Sequence, residues 1–66
     1  MKKYQVRDIA SFGYAGKFDI IYHDDENHRT YYSSTMYGSH TAALAVADDL
    51  NAGKLDHMEV GWKLNT

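Results

Sequence analysis

The chain has 66 residues and a formal net charge of −2, from seven Lys and Arg against nine Asp and Glu, and it contains neither cysteine nor proline. This length predicts one domain, residues 1–66, with a small core, and the missing cysteines exclude disulfides, thiol nucleophiles and cysteine-based zinc sites. The slightly acidic balance excludes the overall basic field that drives non-specific binding to nucleic acid.

Three strand-like runs occupy the first half of the chain. Residues 3–9 alternate apolar and polar side chains, as a strand with one buried face does. The loop "SFGYAG" carries two glycines, and residues 17–23 follow it as a second strand. Residues 28–37 are rich in Thr and Tyr, which favours a third strand. The apolar residues predicted to share the buried face of the first two strands are Tyr4, Val6, Phe18, Ile20 and Tyr22.

The period of the apolar residues changes in "GSHTAALAVADDLNAG", residues 38–53, which predicts a helix. Ser39 or Thr41 is suited to cap its first turn, and Gly53 is suited to the left-handed conformation that ends it. Residues 55–64 alternate again and predict a fourth strand that joins an edge of the sheet. Its predicted apolar face consists of Met58, Val60, Trp62 and Leu64. The predicted fold class is α+β: an antiparallel three- to four-stranded sheet with one helix packed on one face, in the order β-β-β-α-β.

The stretch "HDDENHRTYY", residues 23–32, raises a question of strand register, because a slip of one residue turns every side chain to the other face. A four-residue loop, 24–27, would pair His23 with His28 but would set Arg29 and Tyr31 beside the core. We therefore predict a three-residue loop, 25–27, with Asn27 in the left-handed conformation.

This predicted register pairs residue 24 with residue 28 and residue 20 with residue 32. It turns Thr30, Tyr32 and Met36 toward the helix, and it separates the two histidines. A lone His with a carboxylate matches no metal-binding spacing, so we predict a metal-independent hairpin.

Catalytic constellations are not apparent either. Ser39 and His40 are adjacent in sequence, whereas a nucleophile and its base converge from separate elements. The glycines do not have the spacing of a phosphate-binding loop. The acidic residues 24–26 are contiguous on a turn, where water keeps carboxylates ordinary acids. We therefore expect a protein without enzymatic activity or cofactor.

A partner-binding surface is predicted instead. Under the predicted register the outer sheet face presents Tyr, Ile and Arg side chains, which are enriched at interfaces, and six tyrosines exceed what a small core hides. The last helical turn carries two aspartates, where the helix dipole disfavours negative charge and a basic partner would be complementary. The predicted partner-binding residues are Arg7, Ile21, Arg29, Tyr31, Tyr37, Asp48 and Asp49.

One architectural resemblance covers residues 3–52. The segment "YYSSTMYGSHTAALAVADDL" has the order strand, short turn, Thr-Ala-Ala helix, and with the two preceding strands it resembles the small DNA-binding domains of phage-type integrases and AP2-like proteins. That resemblance implies a sheet face that enters the major groove with basic side chains. Lys3, Arg7 and Arg29 match in type, whereas Asp19 and the negative net charge depart from the pattern.

The function that the sequence favours is a non-catalytic protein-binding module, such as a phage or mobile-element accessory or inhibitor protein that docks on a host protein. The alternative is a nucleic-acid-binding domain of the integrase arm-type or AP2-like kind. An open sheet edge in so small a chain also predicts a homodimer, through residues 57–64 or the face of Tyr31 and Tyr37. No apolar run approaches the ~18 residues of a membrane span, and the polar start "MKKYQVRD" is unlike a signal peptide. We therefore expect an unprocessed cytoplasmic protein that has no membrane partner.

Overall fold

The computed structural model describes residues 3–65 and contains a four-stranded antiparallel sheet with one helix packed on it. The strands lie in the sheet in chain order, so that the first and the last form its two edges. The predicted α+β fold is confirmed, including the final strand at an edge. The elements are β1 (Tyr4–Asp8), β2 (Phe18–Asp24), β3 (Arg29–Ser33), α1 (His40–Asn51) and β4 (Trp62–Leu64).

Helix α1 begins and ends where its capping residues predict. The Ser39 hydroxyl accepts a hydrogen bond from the Ala42 N–H at 3.1 Å, which satisfies one free amide of the first turn. Gly53 has a φ of 75°, the left-handed conformation that lets the chain leave the helix. The small side chains of Ala43 and Ala47 are buried and allow the helix to approach the sheet closely.

The core lies between α1 and the face of the sheet that α1 covers, here called the helix-facing side. The helix packs on β1 and β2, and residues that follow it complete the core beside β4. The opposite face of the sheet is called the outer face. The buried residues of the core cluster are Tyr4, Ile20, Ala47, Leu50 and Val60.

The fourth strand is shorter than the alternation of residues 55–64 predicts. A 3-10 helix occupies His57–Glu59, where the Asp56 carboxylate accepts a hydrogen bond from the Met58 N–H at 3.0 Å. This local side-chain bond competes with a strand ladder. Met58 is consequently 81% exposed, and its predicted place on the apolar face of the strand is wrong.

The predicted register of β2 and β3 is also wrong. Tyr22 pairs with Tyr31 and Asp24 pairs with Arg29, which leaves a four-residue loop, 25–28. Tyr22 packs against the core, and cross-strand partners lie on the same face, so Tyr31 and Arg29 lie on the helix-facing side. Thr30 and Tyr32, which alternate with them, lie on the outer face.

The Asp24 side chain explains this loop. Its carboxylate accepts hydrogen bonds from the main-chain N–H of Glu26 at 3.1 Å and from the Asn27 side-chain amide at 2.8 Å. Asn27 is thereby held inside the turn, and His28 instead takes the left-handed conformation, with a φ of 54°. An aspartate that bonds to residues two and three positions ahead favours this loop over the predicted one.

A bulge follows β3 and brings the chain back to β2. Ile21 pairs with Tyr32, whereas Phe18 pairs with Tyr37, so three steps along β2 match five steps on the other side. The two extra residues place Met36 at 48% exposure, and its predicted position toward the helix is wrong.

At this bulge the Ser33 side chain supplies the acceptor for a main-chain N–H of β2. Its hydroxyl accepts a hydrogen bond from the Ile20 N–H at 3.1 Å and donates one to the Thr35 carbonyl at 2.9 Å. Ile20 and Ser33 are both buried, so this hydroxyl satisfies an amide that water does not reach.

Candidate partner-binding surface

The loop between β1 and β2 folds over the outer face of the sheet. Ile9 is buried beneath it, and a 3-10 helix at Ala10–Phe12 begins with a hydrogen bond from the Ala10 N–H to the Asp8 carboxylate at 2.9 Å. Gly13 has a φ of 92°, a conformation that a residue with a side chain rarely adopts, and it turns the chain back toward β2. The outer face is therefore not the flat, open sheet that the sequence predicts.

An ion pair forms the floor of this part of the outer face. Arg7 Nε donates to Asp19 Oδ1 at 3.0 Å, and Arg7 Nη2 donates to Asp19 Oδ2 at 2.6 Å. The two residues are cross-strand partners on β1 and β2, and Asp19 is only 3% exposed. The guanidinium also lies over two aromatic rings, 5.1 Å from the centroid of Phe12 and 5.7 Å from that of Tyr32. Arg7 thus joins the loop to the sheet by charge and by ring contacts.

Exposed apolar side chains surround this floor. Phe12 is 62% exposed, and Tyr14 and Met36 are each 48% exposed. They line a groove of about 320 Å³ to which Tyr32 and Lys63 also contribute. We call it the outer groove and define it by Arg7, Phe12, Tyr14, Tyr32, Met36 and Lys63.

The residues predicted to bind a partner do not form one surface. Arg7 and Ile21 lie on the outer face, but Arg29 and Tyr31 lie on the helix-facing side because of the register. Tyr37 packs against the core, and burial raises the pKa of its hydroxyl above 10.0. The remaining two predicted residues, Asp48 and Asp49, are exposed on α1.

Tyr31 belongs to an aromatic cluster at the end of the sheet that α1 leaves uncovered. Its ring stacks on Tyr22 with 5.2 Å between centroids, and the His57 ring stacks on Trp62 at 5.1 Å. The Tyr4 hydroxyl and His57 Nδ1 are hydrogen-bonded at 3.0 Å. Burial is the main reason that the pKa values of Tyr4 and Tyr22 lie above 10.0. The rings face one another, so the cluster extends the core.

The two histidines of the β2–β3 hairpin occupy different parts of it, His23 on the outer face of β2 and His28 in the loop. His23 Nδ1 is hydrogen-bonded to Thr30 Oγ1 at 2.9 Å, and its Nε2 lies 3.4 Å from Asp25 Oδ1. The hydrogen bond from Asn27 holds the pKa of Asp24 below its ordinary value of 3.8. Within residues 3–65, no group of three or more His, Asp and Glu side chains is arranged to hold a metal ion.

Comparison of the chain with protein-family models, with curated proteins and with solved structures finds no match. Across residues 3–65, no helix has the length and apolar character that crossing a membrane requires.

Arg7 is the one groove residue in the set that the sequence predicts. The other five are absent from it: Phe12, Tyr14, Tyr32, Met36 and Lys63. Two aromatic residues within the glycine-containing loop "SFGYAG" are the available signal, because a loop has no apolar face on which to bury them. Met36 gives no such signal, since its exposure depends on the bulge after β3.

Proposed function

We propose that this protein is a non-catalytic protein-binding module and that the outer groove is its binding surface. The proposal rests on one observation. Phe12, Tyr14 and Met36, each about half exposed or more, line one groove together with the Arg7–Asp19 ion pair. Single exposed apolar residues are normal on a soluble protein, whereas clustered ones mark interaction sites. Phe, Tyr, Met and Arg are also the residue types enriched at interfaces.

The groove is organised before a partner arrives. Asp19 neutralises Arg7 and fixes its position, so a partner side chain that enters the groove meets a floor whose charges are already compensated. The loop that carries Phe12 is closed by the hydrogen bonds from Phe12 N–H to the Ile9 carbonyl at 3.0 Å and from Lys17 N–H to the Tyr14 carbonyl at 3.0 Å. A surface held in place loses less conformational entropy when it binds.

The proposed biological role is that of an accessory or inhibitor protein of a phage or mobile element, which acts by covering a surface of a host protein. Its surface of exposed apolar side chains supports this role. Occupying a partner's surface needs no catalytic group, and the groove offers the apolar side chains of Phe12, Tyr14 and Met36 as anchors.

The nucleic-acid alternative receives less support from the geometry. It needs Arg7, Arg29 and Tyr31 on one sheet face, and they lie on two. The Arg7 guanidinium is bound by Asp19, and the Lys3 ammonium lies 5.3 Å from the centre of the Tyr22 ring. Phosphate contacts depend on cations that face the ligand together.

Affinity capture from a lysate of the cells in which the chain is expressed tests the proposal. The variant Phe12→Ser/Met36→Ser removes two groove anchors, and Met58→Ser is the matched control because Met58 is 81% exposed outside the groove. We expect the wild type and the control to retain a stoichiometric protein partner that survives nuclease treatment, and the groove variant to lose it. Equal retention by the groove variant, or recovery of nucleic acid that withstands moderate salt, would contradict the proposal.

A further inference from the structure

The open edge of β4 lies beside the outer groove. On its inner side the Gly61 carbonyl accepts from Ser34 N–H at 2.7 Å, and Asn65 N–H donates to the Thr30 carbonyl at 2.9 Å. Main-chain groups alternate in direction along a strand, so those of Trp62 and Leu64 point away from β3. Two N–H and two carbonyl groups therefore line this edge.

The opposite edge of the sheet is capped at its first residue. The Asn51 side chain accepts a hydrogen bond from the Tyr4 N–H at 3.0 Å and donates one to the Tyr4 carbonyl at 3.0 Å. The carboxamide thus satisfies the outward main-chain groups of Tyr4, at the start of the strand, and α1 packs against β1. Exposed edge strands are sites where another chain can add by main-chain hydrogen bonds. Within residues 3–65, no side chain caps the outward main-chain groups of Trp62 and Leu64, and β4 reaches the outer groove through Lys63, so we take β4 as the edge that offers such a site.

We propose that β4 binds an extended segment of a partner protein as a fifth strand, with a carboxylate of that segment opposite Lys63. The inference rests on the proposed protein-binding function and specifies its mode and ligand. Lys63 pairs with Tyr32 on the outer face, lines the outer groove, and forms no ion pair within residues 3–65. The added residue opposite it would project over that groove.

The residues on either side of Lys63, Trp62 and Leu64, determine which side chains the added segment should carry. Trp62 and Leu64 lie on the helix-facing side, as partners of Ser33 and Tyr31, and Leu64 is 48% exposed. Added residues opposite them would point to that same side and cover the exposed part of Leu64. Since side chains alternate along a strand, the segment that fits is apolar, acidic, apolar.

A second copy of the chain fits this edge poorly. Two-fold pairing of Trp62 with Leu64 of the copy satisfies all four main-chain groups, but it sets Lys63 directly opposite its own copy. Like charges at facing positions are destabilising, and lysine on an edge strand is a common defence against self-pairing. Charge complementarity therefore favours an acidic segment over the homodimer that the sequence predicts.

Titration of the isotope-labelled protein with a capped peptide, Thr-Val-Glu-Val-Thr, tests the inference by NMR. We expect shifts and slower solvent exchange at the Trp62 and Leu64 amides. Replacing Glu by Lys in the peptide should weaken binding roughly fivefold, the upper range for an exposed charge pair, and Lys63→Glu should reverse the preference. Leu64→Pro should abolish binding while the sheet persists, because it removes an N–H that points away from β3.

The outcomes separate this inference from the proposed function. Shifts confined to Phe12, Tyr14 and Met36, or a peptide preference that Lys63→Glu leaves unchanged, would overturn strand addition while the capture experiment still decides the function. No response to the peptide would also overturn it. A concentration-dependent dimer that Lys63→Glu weakens or leaves unchanged, with the Trp62 and Leu64 amides protected in it, would show that a second copy occupies the edge instead.

Discussion

Arg7 binds Asp19 through two parallel hydrogen bonds across β1 and β2, and the carboxylate that accepts them is almost completely buried. The Arg7 side chain itself is 23% exposed. If one partner is removed, water can therefore reach a remaining Arg7 guanidinium more easily than a remaining Asp19 carboxylate. Because of this difference in burial, removing Arg7 should destabilise the protein more than removing Asp19.

Arg7→Ala should lower the free energy of unfolding by about 3 kcal/mol, since it leaves a buried carboxylate without its counter-charge. Asp19→Ala should cost less, because the partly exposed guanidinium can recover contacts with water. Gln5→Ala, an exposed residue of the same strand and face, is the control and should change stability by less than about 0.5 kcal/mol. Urea unfolding of the three variants measures these values. A smaller loss for Arg7→Ala than for Asp19→Ala would refute this expected order.

Ser33→Ala should destabilise the protein by about 1–3 kcal/mol, because the buried Ile20 N–H then has no acceptor. Ser34→Ala is the matched control, since Ser34 is the next residue and is exposed. Hydrogen exchange offers a local readout: the Ile20 amide should exchange faster in Ser33→Ala and at the wild-type rate in Ser34→Ala. Equal stability of the two variants would show that the Ser33 hydroxyl does not support the bulge.

Alkaline pH should destabilise the fold through tyrosines that are buried or partly buried. The pKa values of Tyr4, Tyr22 and Tyr37 lie above 10.0, chiefly because burial disfavours the phenolate. Their stabilising effect is complete below the ordinary pKa and is lost as pH rises through the folded-state values. The urea midpoint should therefore fall above about pH 10, and less steeply for Tyr37→Phe than for the wild type. Identical pH profiles for the wild type and Tyr37→Phe would show that ionisation of Tyr37 does not contribute to the alkaline loss of stability.

The β2–β3 hairpin should be independent of metal. Addition of a chelator is expected to leave the melting temperature unchanged, and His23→Ala should shift stability by less than about 0.5 kcal/mol because this side chain is exposed. Differential scanning calorimetry with and without chelator provides the measurement. A chelator-dependent loss of several degrees would reveal a metal site that includes this hairpin.

The elements of the fold were predictable because each has a local cause. Alternation indicates β1 and β2, Ser39 caps α1, and Gly53 supplies the left-handed residue at its end. Each of these signals is contained within a few residues of the chain. The order β-β-β-α-β followed from them.

The register of β2 and β3 was not predictable from apolar pattern alone. The predicted register kept Arg29 and Tyr31 away from the core, but α1 covers β1 and β2 and leaves this end of the sheet to the aromatic cluster. Tyr31 can therefore stack on Tyr22, and Arg29 remains exposed on the same side. The hydrogen bonds of Asp24 within the loop decided the register.

The outer groove was not predictable because it depends on long-range packing. Phe12 reaches Arg7 only when the β1–β2 loop folds over the outer face, and Met36 is exposed only because of the bulge near Ser33. Lys63 joins the groove through the pairing of β4 with β3. These contacts are set by the assembled sheet, and no short sequence pattern encodes them.

Hydrogen–deuterium exchange of the protein, alone and with its captured partner, locates the binding surface without any substitution. If the outer groove and the edge of β4 bind the partner, exchange should slow in residues 9–14, 34–36 and 61–65 and change little along the exposed side of α1. Protection of α1 together with unchanged exchange in those three segments would contradict the proposed binding surface.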